Sequence, residues 1–111
     1  MITEDYVSYE TAKLLKEKGF DEECQQYYGD YKYLCPTLQM AMKWLRENFN
    51  MNPVPYATSI GWYFEVFDLT QRDITGCALL YQVGIPSKEK TFETSEEACE
   101  AGIRYCLENL I

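Results

Sequence analysis

The chain has 111 residues, 47% hydrophobic and 25% charged, with 10 basic side chains against 18 acidic ones and no histidine. That length favours one domain over residues 1–111 with a single core. Absence of histidine excludes Ser-His-Asp and Cys-His catalysis and imidazole metal sites, and a net charge of −8 opposes direct binding to a nucleic-acid backbone.

The first predicted element is a helix through TAKLLKEKG, with Ser8 as its N-cap and Glu10 in its first turn. Gly19 supplies the left-handed residue that stops it, and Phe20 follows in position to pack on Leu15 as in a Schellman motif. The next stretch, DEECQQYYGDYKYLCPT, reads as a hairpin turning at Gly29-Asp30, with Tyr31 and Tyr33 on one face of its second strand and Lys32 on the other. Pro36 ends that strand and Thr37 caps a second helix, LQMAMKWLRENFN. Its apolar stripe is Leu38, Ala41, Met42, Leu45 and Phe49; Met40 and Trp44 form an i, i+4 pair off it. Asn50, Asn52, Pro53 and Pro55 end the helix and begin an extended segment.

Two longer strands are expected next. WYFEVFD alternates Trp62, Phe64 and Val66 against Tyr63, Glu65 and Phe67, LTQRDITG turns the chain, and CALLYQVGI returns it. KTFE reads as a short edge strand. A capping box, Thr94 with Glu97, opens the closing helix, whose buried face takes Cys99, Ile103, Cys106 and Leu110, widened by Ala98, Gly102 and Tyr105. The fold class is therefore α+β: three helices with a small antiparallel sheet, in the order helix, hairpin, helix, two to three strands, helix. From Thr37 onward this is the element order of double-stranded-RNA-binding domains. The charge opposes that analogy, because this portion holds six basic residues against ten acidic ones and lacks a basic cluster.

Five cysteines, an odd number without a CxxC pair, fit a reducing compartment and small buried hydrophobes better than a disulfide framework or a zinc site. No intrachain disulfide is expected; Cys99 and Cys106 lie about 10.5 Å apart along one helix. The segment MITEDYVSYE lacks the layout of a signal peptide, and no run is long and apolar enough for a membrane helix. A cytoplasmic protein with no membrane association is expected. Glu96, Glu97 and Glu100 crowd a helix N-terminus, where the dipole favours their anionic form; Glu65, between aromatic neighbours, is the one carboxylate with a chemical alternative. No catalytic set, cofactor site or metal site is legible.

YVSYETAKLLKEKGFDEEC, PTLQMAMKWLRE and SEEACEAGIRYCLENLI carry a resemblance. They resemble small proteins of phages, prophages and mobile elements of gut anaerobes, which share an opening helix, a KWLRE helix and a closing EEA…CLENLI helix. The resemblance covers both ends and the middle helix and implies a phage-related context. No activity, ligand or site residue comes with it.

Ten Tyr, five Phe and two Trp are the strongest compositional signal. Tyrosine combines large contact area with a polar handle and is enriched at interfaces. Tyr27, Tyr28, Tyr31 and Tyr33 are therefore the candidate interaction surface, with a satellite cluster covering the sheet or the first helix as the structural alternative. The expected function is non-catalytic interaction with an unknown protein partner or with itself. An acidic inhibitor or DNA mimic acting on a nucleic-acid-binding protein is the second reading. A small enzyme using carboxylates or a cysteine without histidine is the third.

Overall fold

A computed structural model describes residues 5–29, 32–72, 74–76, 78–80 and 91–111. Helix α1, Tyr9–Glu17, starts where Ser8 accepts the Thr11 N–H in its side-chain oxygen, satisfying one of the donors that a helix N-terminus leaves unpaired. At its other end Gly19 takes φ +96°, the Phe20 N–H reaches the Leu15 carbonyl at 3.0 Å, and the Gly19 N–H reaches Lys16 at 3.1 Å. These are the two bonds of a Schellman motif, and they turn Phe20 into the core beside Leu15.

Strands β1, Gln26–Tyr28, and β2, Tyr33–Cys35, form the expected tyrosine hairpin. The Tyr28–Tyr33 pairing leaves residues 29–32 between the strands, closed by the Lys32 N–H on the Gly29 carbonyl at 3.0 Å. The connection is thus four residues long rather than the two expected at Gly29-Asp30. Asp30 and Tyr31 lie outside the described residues. Residues 5–7 pair beside this ribbon, with the Val7 N–H on Pro36 and the Leu38 N–H on Asp5, both at 3.0 Å.

Helix α2, Leu38–Phe49, is capped by Thr37 and ends at Asn50, which adopts the left-handed conformation at φ 57°. Leu38, Ala41, Met42 and Leu45 are buried as their spacing predicts. Trp44, off that stripe, is buried too. Phe20 and Phe49 meet its ring edge-on at 5.4 and 5.1 Å, while Met40 stays exposed.

The extended segment after α2 is a full strand, β3, Met51–Thr58, paired along its length with β4, Gly61–Arg72. The Asn50 carbonyl accepts the Leu69 N–H at 2.9 Å, so the even-numbered positions of β3 turn their backbone polar groups toward β4. The nitrogens of Pro53 and Pro55 consequently point to the other side, the free edge of the sheet, where a missing N–H costs the ladder nothing. Thr58 closes the tight turn by donating its hydroxyl to the Gly61 carbonyl at 2.6 Å.

β4 also runs further than expected, through residues read as turn, with its register shifting between Asp68 and Arg72. β5, Ala78–Leu80, pairs with it there, giving the sheet order β3-β4-β5. The remainder of the expected returning strand, Cys77 and Lys90 lie outside the described residues. From the expected KTFE strand, Phe92 forms a single bridge, exchanging both backbone bonds with Trp62 at 2.7 and 2.8 Å.

Helix α3, Ser95–Tyr105, begins at Thr94, whose hydroxyl oxygen accepts the Glu97 N–H. The return bond of the capping box goes one residue early, from the Glu93 N–H to the Glu97 carboxylate at 3.4 Å. The helix then widens into a π-helical turn, Cys106–Leu110. That change of period buries Leu107 and leaves Leu110 half-buried, where a continuous 3.6-residue repeat favours Leu110.

The architecture is therefore α+β, three helices with two small antiparallel sheets. α3 packs across β3 and β4, α2 against β3 and α3, and α1 against β2 and α3. Leu15, Leu45, Val66, Ile103, Cys106 and Leu107 are fully buried in one cluster spanning these elements.

Candidate interaction face

Three of the tyrosines in and around the hairpin meet in space, and one of them comes from α1. Tyr28 and Tyr33 are cross-strand partners and so project from one face of the ribbon. The ring of Tyr9 stands edge-on to both, at 5.7 Å from Tyr28 and 5.5 Å from Tyr33, with interplanar angles of 85° and 82°. Such edge-to-face pairs place a positive ring edge on a negative ring face. The Tyr28 hydroxyl donates to the Val7 carbonyl at 2.9 Å, anchoring the hairpin to the segment before α1. Burial foremost, then its hydrogen bond to Cys35, pushes that phenol above its ordinary range.

Of the four tyrosines expected to act together, Tyr28 and Tyr33 do share a face and are half-buried against α1. Tyr27, one residue along, projects from the opposite face of the ribbon and is 38% exposed. Tyr31 lies outside the described residues. Sequence reasoning missed Tyr9, 41% exposed, whose signal was its spacing: Tyr9, Lys13 and Lys16 fall at i, i+4 and i+7, one face of α1.

Three ammonium groups sit on this aromatic cluster. Lys13 Nζ lies 5.3 Å from the Tyr9 ring centre, and Lys16 and Lys32 Nζ lie 5.1 and 5.3 Å from that of Tyr33. Lys16 also donates to the Lys32 carbonyl at 3.3 Å, linking α1 to the hairpin loop. The described ion pairs, Lys43–Glu47 and Arg104–Glu108, lie elsewhere, on α2 and on the α3 end.

The groups with a chemical alternative are placed for structure. Cys24, Cys35, Cys99 and Cys106 are free, buried thiols. Burial pushes Cys99 up to about 11 and Cys106 up to about 12, so both stay protonated at neutral pH, the reverse of an activated nucleophile. Burial likewise raises Cys24 and Cys35.

Glu100 accepts the Ser8 N–H at 2.6 Å and the Thr11 hydroxyl at 2.8 Å, so its carboxylate caps α1 from α3. With Glu97 engaged by Glu93, the acidic concavity that also holds Asp5 and Glu96 is partly spent on helix ends. Glu65 is half-buried opposite Val54, on the sheet face of Tyr56, whose phenol is raised by burial first and by Glu65 second.

Two open concavities of about 480 and 560 Å³ flank the exposed side of α2 and share Glu23 and Met40. Among the described residues no group of three or more Cys, Asp or Glu is placed to hold a metal ion. Among them, too, no helix is long and apolar enough to cross a membrane. No protein-family model, curated protein or solved structure matches the chain.

Proposed function

We propose that this chain is a non-catalytic interaction module, acting in the cytoplasm, that binds another protein through the face built by Tyr9, Tyr28 and Tyr33. The observation that carries this reading is the edge-to-face trio itself, assembled from two elements and left partly open to solvent. Rings already held by their neighbours offer contact area at little further entropic cost, the property that makes tyrosine frequent at interfaces. The protonated, buried thiols and the carboxylates committed to helix ends favour binding over catalysis. A phage or prophage origin belongs to the same proposal and rests on the three segments that resemble such proteins.

The test is the double variant Tyr9→Ser/Tyr33→Ser, compared with the wild-type chain as bait for partner capture and by thermal melting. The expected result is a lost or strongly weakened partner with a melting temperature within a few degrees of wild type. A large drop in stability with unchanged capture would return the trio to the fold.

A further inference from the structure

We infer that the partner presents an acidic peptide segment, received by the row of ammonium groups that Lys13, Lys16 and Lys32 hold over the tyrosine rings. The inference deepens the interaction reading above and rests on it.

Its first ground is charge placement. The chain carries −8 overall and has 10 basic residues, yet three of them converge on two rings of one face. Lys13 and Lys16 share the Tyr9 face of α1, and Lys32 arrives from the hairpin loop. Glu10 and Glu17 flank Lys13 along that helix at i−3 and i+4, and Asp21 lines a small concavity with Lys16 and Lys32. No described ion pair engages the three ammonium groups. At physiological ionic strength charges are screened beyond about 8 Å, so a ligand at this face meets the three lysines and the few carboxylates beside them more than the chain's remaining acids.

The second ground is preorganisation. A lysine ammonium on a flexible stem normally pays in side-chain freedom when it binds. Here the ring quadrupoles attract all three, and the Lys16 bond to the Lys32 carbonyl ties two of them together. The tyrosines act as pedestals for the cations.

The third ground separates carboxylates from nucleic acid. Single-stranded nucleic acid is held by bases stacking on open aromatic faces. Ammonium groups over Tyr9 and Tyr33 compete for that position.

Fluorescence anisotropy of a fluorescein-labelled octaglutamate, titrated with the full chain, tests this directly. Saturable binding is expected at about 50 mM salt, weakening as salt rises. Lys13→Gln/Lys16→Gln/Lys32→Gln should bind roughly tenfold more weakly, the combined effect of three exposed charge pairs, with its melting temperature within a few degrees of wild type. No binding of octaglutamate by the wild-type chain, or equal binding by the triple variant, overturns the inference. So does tighter binding of an oligothymidylate of equal charge. Partner capture lost in Tyr9→Ser/Tyr33→Ser but intact in the lysine variant would reject the acidic segment and keep the interaction face. Capture intact in both would reject the face itself.

Discussion

Glu100 and Gly102 show how much one position on α3 decides. The Glu100 carboxylate receives two donors at the start of α1, one of them the hydroxyl of fully buried Thr11. Glu100→Ala removes their acceptor and should cost about 1–3 kcal/mol, with Glu100→Gln milder because an oxygen remains. Urea unfolding of the pair checks this, and equal losses would mean the bonds contribute little. Gly102 lies against the sheet, where an added Cβ would come within 3.2 Å of the Cβ atoms of both Phe64 and Pro53. Those atoms are fixed to the backbone of paired strands and yield poorly. Gly102→Ala should therefore destabilise by about 1–2 kcal/mol, overpacking outweighing the smaller gain in helix propensity. A stabilised variant would show that α3 can lift from the sheet without cost.

At the scale of elements, helix ends were the most legible feature. Ser8, Gly19, Thr37 and Thr94 each act through bonds to residues within five positions, so the sequence near each end suffices. β3 was less legible because two prolines disguise it; only its place at the edge, with both nitrogens turned outward, makes them tolerable. The π-helical turn was illegible, since nothing local in CLENL announces a change of period. It makes a discriminating prediction. Ile103→Ala and Leu107→Ala, at fully buried sites, should each cost about 2–5 kcal/mol, and half-buried Leu110 clearly less. Equal losses at 107 and 110 in denaturant titrations would restore a regular helix.

For the whole molecule, buried ionisable groups set the alkaline limit. An unfolded thiol ionises near 9, whereas burial holds Cys99 near 11 and Cys106 near 12. The neutral thiol is the folded form, so its contribution is complete below pH 9 and is lost as pH rises toward 11–12. Tyr28, Tyr56 and Tyr63 are displaced in the same direction, burial leading in each. Stability measured by urea midpoints should decline above pH 9, and Cys106→Ala should flatten that slope whatever it does to the midpoint at pH 7. An unchanged slope would mean that Cys106 does not couple ionisation to unfolding. The same burial predicts that native Cys99 and Cys106 react slowly with thiol reagents and quickly once denatured.

The candidate site divides along the same line. Tyrosine abundance and the hairpin were readable from QQYYGDYKY, and so was the shared face of cross-strand residues once the strands were placed. That Tyr28 and Tyr33 turn toward Tyr9, and that Lys13, Lys16 and Lys32 end above the rings, depended on α1 docking against β2. Sequence alone determined the α+β class, the helix caps and most of the buried stripes, because these follow from backbone conformation and side-chain period within a few residues. Tertiary structure alone decided the pairing of β3, the burial of Trp44 and Leu107, the work of Glu100 and the partners of the tyrosines. Glu100 with Ser8 and Thr11, Phe20 with Trp44, and Tyr9 with Tyr28 and Tyr33 join atoms from distant parts of the chain. The neighbouring β3–β4 pairing and the π-helical turn rest on edge placement and a change of period that no local pattern announces.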